Sequence, residues 1–244
     1  MASIHKVTAT DVKTLENIGY ELVSADGSTL DIFINDLFPN FDILSLLQEV
    51  ENNFTPATTK KIHRKITFDY AKKEFLIDYN NDTGIEDIAL FFVRKFSKKR
   101  GMITVEHHLC ILPKAARGKG LIKPVFQESL KQYLNCGLSR ILVHAALSGG
   151  GYSWAKHGFR AVDKGEVDVI LNAARGALSA ADFTVCEKIY KGYYTKNPNG
   201  RAFPMHLWAA LGFMKPLLMG SRWHGELNLK RAGHLKKFRE YVYR

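Results

Sequence analysis

The sequence predicts an α/β fold: a sheet with one strand–helix–strand crossover at its centre, flanked by helices and followed by a mostly helical C-terminal extension. Three observations carry this. Two hairpin signals lie close together between residues 65 and 112. A glycine-bearing loop then opens into an amphipathic helix and a strongly apolar strand. Beyond residue 163 the apolar spacing is that of helices.

Each element has its reason. Asp42–Val50 (DILSLLQEV) reads as a helix because Ile43, Leu46 and Leu47 recur at helical spacing. Lys65–Tyr70 and Glu74–Tyr79 alternate apolar and polar residues around a turn at Ala71–Lys73, a first hairpin. Ile88–Phe96 and Met102–Leu112 flank Ser97–Gly101 and form a second. After Lys114–Gly120 comes a helix whose apolar face is Val125, Phe126, Leu130, Tyr133 and Leu134, stopped at Gly137. Ser139–Leu147 (SRILVHAAL) is a buried strand, Tyr152–His157 a short helix closed by Gly158–Phe159. Helices are expected near Lys164–Leu178, Ala180–Tyr194 and Met205–Leu211, then one more strand within Lys215–Leu229 and a basic helical tail. The organisation expected is an N-terminal segment at 1–60, a core at 61–162 and an extension at 163–244.

Composition narrows the function classes. Of the 244 residues, 46% are hydrophobic and 24% charged, a globular balance that argues against wholesale disorder. No apolar run approaches the roughly 20 residues of a membrane span, and MASIHKVTATDVKTLEN lacks a secretory core. The expected location is the cytoplasm; export would need a route without a classical signal. Three scattered cysteines, Cys110, Cys136 and Cys186, make no disulfide framework and suit a reducing compartment. The formal charge is +11, with basic residues gathered at Lys60–Lys65, Arg94–Lys95, Lys98–Arg100 and Lys230–Arg244. Such a field attracts anions, so a nucleic acid or an acidic protein is an expected class of partner. The bland reading of the same charges is a solvated surface.

The chemistry concentrates at the strand–loop–helix junction. A helix start leaves backbone N–H groups unpaired and carries partial positive charge. Gly118 and Gly120 let the backbone approach a phosphate, and Arg117 and Lys119 add charge, so the segment suits a diphosphate-bearing cofactor. It is neither a P-loop nor a complete GxGxxG fingerprint. The run Leu109–Pro113 followed by Arg117–Gly118–Lys119–Gly120–Leu121–Ile122 resembles the R/Q-x-x-G-x-G/A motif of the GNAT N-acetyltransferase superfamily. Gly151–Phe159 (GYSWAKHGF) resembles the same family's helix ending in Lys-x-Gly-Phe. The two motifs lie on either side of a strand and cover residues 100 to 162.

The resemblance implies a mixed, mostly antiparallel central sheet and an acetyl-CoA site at Ile111, Leu112, Arg117, Gly118, Lys119, Gly120, Leu121 and Ile122. It implies transfer of an acetyl group from acetyl-CoA to an amine by direct attack, without a covalent intermediate. Three positions depart from the pattern. Ile122 stands where a small residue is usual, Pro113 lies one residue further from Arg117, and Trp154 occupies the place of a tyrosine acid.

A base is sought on the strand before the loop, where Glu106, His107 and His108 are adjacent. Alternation puts Glu106 and His108 on one face and His107 on the other, unless a bulge intervenes. A buried Glu106 would have a raised pKa and accept the amine proton; His108 is second choice. The alternative reading of these residues is as surface polar groups or satisfied core hydrogen bonders. His144 and Tyr190, Tyr193 and Tyr194 are weaker candidates, and the tyrosines read as packing on a helix face. His206, Trp208, Trp223 and His224 match no metal spacing, so no metal is expected there and core packing is the reading. A second function class stays open: a GNAT-like binding or interaction module without transfer activity, favoured by Trp154 and Ile122.

Overall fold

The computed structural model describes residues 5–85, 87–146, 149–198 and 202–243. The chain divides into two compact units, Met1–Ser139 with Val242–Arg244, and Arg140–Tyr241. Both combine strands and helices, so the α/β class read from the sequence is borne out. No described helix is long and apolar enough to cross a membrane.

The first unit runs α1 (Ala9–Ile18), β1 (Glu21–Ser24), α2 (Leu30–Leu37), α3 (Ile43–Phe54), β2 (His63–Asp69), β3 (Glu74–Asn80), β4 (Phe91–Lys99), β5 (Met102–Ile111) and α4 (Ile122–Asn135). Its strands lie in the order β1-β2-β3-β4-β5. β1 pairs parallel with β2, while β2 to β5 form an antiparallel meander. Local chemistry sets the ends. Thr8 and Asp11 cap α1 reciprocally, and Gly19 ends it at φ 102. Asp42 caps α3 through the Ser45 N–H.

The second hairpin turns more tightly than Ser97–Gly101 suggests. Arg100 and Gly101 take φ 50 and 76, the two consecutive left-handed residues of a two-residue hairpin loop that matches the strand twist. β4 therefore runs on to Lys99.

Alternation places Ile66, Phe68, Phe75, Ile77, Tyr79, Phe92, Phe96, Ile103 and Val105 inward. They join Phe33, Phe38 and Phe41 from α2 and the turn after it, and Val125, Phe126, Leu130 and Tyr133 from α4. At the centre Phe75 stacks on Phe96, centroids 4.3 Å apart and 3° from parallel.

The second unit runs β6 (Arg140–Ala145), α5 (Gly150–Lys156), β7 (Arg160–Ala161), α6 (Lys164–Ala177), α7 (Ala180–Lys196), β8 (Phe203–Pro204), α8 (His206–Ala209), α9 (Lys215–Met219), β9 (Trp223–Asn228) and all but the last two residues of α10 (Ala232–Tyr243). Its strands lie in the order β6-β9-β7-β8, all antiparallel. Trp208, Trp223, Phe159, Phe203, Met205 and Leu218 are fully buried in its core. Asp163 caps α6 and Ser179 caps α7. Two expectations change here. The helix read at Met205–Leu211 is the single turn α8, since its aromatic and apolar residues fill the core rather than a helix face. The strand read within Lys215–Leu229 is confined to β9, with α9 ahead of it. Leu147, the last residue of the apolar run read as a strand, lies outside the described residues.

Two deeply placed histidines make stability depend on pH. Burial first, then the Arg94 cation, holds His107 well below the usual range. Burial first, then Lys156, holds His157 at about 3. Both stay neutral when folded and titrate near pH 6.5 when unfolded, so the unfolded chain binds more protons as pH drops. Their stabilising contribution is whole above about pH 6.5 and is lost as pH falls, at up to about 1.4 kcal/mol per pH unit each. Urea unfolding should show a midpoint that declines steeply from pH 7 to pH 4; a flat profile contradicts this.

Candidate functional site

β5 carries a bulge. Val93 pairs with Leu109, yet Arg94 pairs with His107, so His108 is an extra residue on that strand. Arg94 secures it from inside: its Nη1 donates to Val93 O (2.9 Å) and Leu109 O (2.7 Å). The guanidinium is fully buried and lies 4.1 Å over the Phe92 ring. An arginine cannot shed its charge, so its neighbours adjust to it. His107, hydrogen-bonded through Nε2 to the Tyr133 hydroxyl at 3.0 Å, stays neutral. Burial raises the Cys110 thiol pKa and Arg94 only partly opposes it. Arg94 was read as part of a basic surface cluster. That reading is corrected, because alternation along β4 turns it into the core with Phe92 and Phe96.

Glu106 and His108 do share a face, opposite His107, and pair at 3.1 Å. Their side chains are 41% and 40% exposed. The expectation of a buried Glu106 is corrected: it lies on the outward face of β5, where water reaches it.

Beyond β5 the chain passes half-buried Ile111 and Leu112, buried Pro113 and a 3-10 turn at Lys114–Ala116. Arg117 Nε donates back to Leu112 O at 2.9 Å, closing the loop on its own strand. Gly118 and Gly120 take φ 76 and 79, the left-handed region that glycine enters freely. A Cβ at either would meet no protein atom within 4 Å, so backbone conformation, not crowding within the protein, requires them. α4 then starts at Ile122 with no side-chain cap at Leu121. Its first turn includes Pro124, which has no N–H to satisfy. Arg117 and Lys119 are exposed; Leu121 and Ile122 are half-buried. The structure thus gathers the eight expected cofactor residues into one strand-end, loop and helix start.

Trp154 lies in α5 with its ring edge-on to Phe159, centroids 4.9 Å apart. Tyr152 is half-buried beneath Lys215, whose Nζ sits 5.6 Å from the ring centre. Tyr190, Tyr193 and Tyr194 of α7 pack around Phe203. Of the four residues read as packing, Trp208 and Trp223 are buried, His206 is half-buried, and His224 is exposed and paired. Among the described residues no group of three or more His, Cys, Asp or Glu is arranged to hold a metal.

A feature the sequence did not reveal belongs to the second unit. The Glu166 carboxylate accepts the His224 backbone N–H at 2.7 Å and contacts its Nδ1 at 2.6 Å. The His144 ring stacks flat on His224, 4.2 Å between centroids. Cross-strand register puts His144 opposite His224, but Glu166 arrives from 58 residues away, a placement no local pattern encodes. Arg64 also leaves the solvated basic field, since it clasps Glu51 with two hydrogen bonds of 2.7 and 2.9 Å.

No known family model and no curated protein matches the chain.

Proposed function

We propose that the protein is an N-acetyltransferase that moves an acetyl group from acetyl-CoA to an amine by direct attack. One observation carries the reading: a bulged strand leads, through one 3-10 turn, into a left-handed glycine loop and a helix start without a side-chain cap. That junction supports binding of a diphosphate by backbone N–H groups, with Arg117 and Lys119 alongside. The bulge shifts the pairing by one residue, and Leu109 to Ile111 stay paired with Val93 to Phe91 of β4; in the GNAT superfamily the pantetheine arm lies on the other side, between this strand and the next. At roughly 3.4 Å per residue, Glu106 and His108 sit on β5 about 10 to 17 Å before its end at Ile111, where the arm would present its thioester. The His108–Glu106 pair would take up the amine proton, directly or through water. Together with the resemblance of both motifs to the GNAT superfamily, this geometry favours an acyltransferase over a general anion-binding loop.

The test is thiol release from acetyl-CoA in the presence of a panel of amines, followed by mass spectrometry of the product. Glu106→Gln should lower kcat by about 10²-fold or more with KM for acetyl-CoA little changed. An equal rate in the variant removes Glu106 from the mechanism. A second reading has its own observation: Trp154, packed on Phe159, offers no acid to the leaving thiolate. This favours a GNAT-like binding module. That reading expects acetyl-CoA to bind without turnover, with a nucleic acid or an acidic protein as partner.

A further inference from the structure

We propose that Arg160, His206, His234 and Lys237, with Arg231 at the rim, form a binding site for a phosphate-class oxyanion in the second unit. This site is independent of the glycine loop and of the acyltransferase reading. Its frame is rigid. Arg160 Nε donates to Ala202 O at 2.8 Å, and Nη2 donates to the Tyr193 hydroxyl at 3.0 Å, which in turn donates to Ala202 O at 2.8 Å. Two edges of the guanidinium are thereby fixed, and Nη1 faces His234 Nε2 at 3.4 Å.

That contact decides the tautomer. A guanidinium N–H can only donate, so Nε2 of the neutral ring offers its lone pair and Nδ1 carries the hydrogen. Yet Nδ1 of His234 is buried and has no partner among the described residues, and neither has the buried Nδ1 of His206. A buried N–H without an acceptor is costly, so the Nδ1–H of His234 beside a fixed guanidinium, with the unpartnered Nδ1 of His206, points to an acceptor from outside the chain.

The charges agree. His206 is held at about 4 by burial first, then by Lys237, Arg160 and His234. His234 is held at about 4 by burial first, then by Arg160 and Arg231. Every described charged group acting on the two rings is basic, and no described carboxylate pairs with Arg160, Arg231 or Lys237. The aliphatic stem of Lys237 packs over Gly158, its Cβ 3.0 Å from where a side chain there would begin. The start of α10, at Ala232, adds the partial positive charge of a helix N-terminus beside His234. A multiply charged oxyanion with several acceptor oxygens fits this set; a neutral or cationic ligand does not.

The test follows the histidine ring protons of the full-length protein by NMR, as sodium phosphate replaces sodium chloride at constant ionic strength. The His206 and His234 signals should move saturably. Their titration midpoints should rise by roughly one pH unit or more, because a bound phosphate anion favours the protonated ring. Exposed Lys237→Gln and Arg231→Gln leave the Arg160 frame intact, and each should weaken binding by roughly three- to tenfold. A parallel titration with a short single-stranded RNA separates the sources. The same shifts at far lower concentration, steeply salt-dependent, assign the site to a nucleic-acid backbone; shifts with orthophosphate alone assign it to a free phosphate. If neither ligand moves the two signals, or if both variants respond like the wild type, the proposal is overturned.

Discussion

Phe96→Ala should destabilise the protein by about 3 to 5 kcal/mol, the range for removing a fully buried phenylalanine. Phe96 has no exposed surface and touches aromatic rings on every side. It stacks on Phe75 at 4.3 Å and lies 5.1 Å from Phe41, 5.8 Å from Tyr133 and 6.3 Å from Phe38. These neighbours come from β3, α4 and the segment between α2 and α3, so the cavity cannot close by moving one side chain. The unfolding midpoint in urea should drop with the slope little changed. Phe91→Ala on the same strand, half-buried on the opposite face, should cost well under half as much. A loss below about 1 kcal/mol at Phe96 would mean that this aromatic layer is not the core of the first unit.

Gly151→Ala should be the most damaging single-methyl change in the second unit. Gly151 lies inside α5, where alanine is ordinarily favoured by about 1 kcal/mol. Here an added Cβ would collide with Leu218 O of α9 and with Ser221 Oγ, and would come within 3.0 Å of Ser221 O. Two of these are backbone atoms, which cannot swing aside. Overpacking of this kind costs about 1 to 3 kcal/mol or more, reversing the sign expected from helix propensity. Gly192→Ala in α7 is the control: its Cβ would meet nothing within 4 Å. That change should stabilise by about 0.5 to 1 kcal/mol. Differential scanning calorimetry of both variants reads the contrast, and equal effects would contradict the close approach of α5 to α9.

What could be read from the sequence follows the range of the interactions. The first hairpin was legible to within two residues, because alternation and turn residues are local. The apolar face of α4 was legible as well; Val125, Phe126, Leu130 and Tyr133 are buried as their spacing implied. The parallel pairing of β1 with β2 was not, since it joins strands about 40 residues apart with three helices' worth of chain between or beside them. The same holds for the site. Gly118 and Gly120 could be singled out because left-handed backbone selects for glycine. Arg94 was misplaced on the surface. Its burial depends on the two carbonyls that the bulge at His108 leaves to be satisfied, and a bulge has no reliable local signature. Glu106 was placed on the correct face but at the wrong depth, because alternation fixes a side chain's direction and not what covers it.

Calorimetric titration with acetyl-CoA tests the central claim most directly. The wild-type protein should bind at about micromolar Kd, near −8 kcal/mol. Arg117→Glu with Lys119→Glu should abolish binding, since the pair reverses the loop's charge without placing a side chain at the left-handed Gly118 or Gly120. No heat from the wild-type protein at millimolar acetyl-CoA, with circular dichroism showing it folded, would contradict the cofactor site and the acyltransferase reading with it.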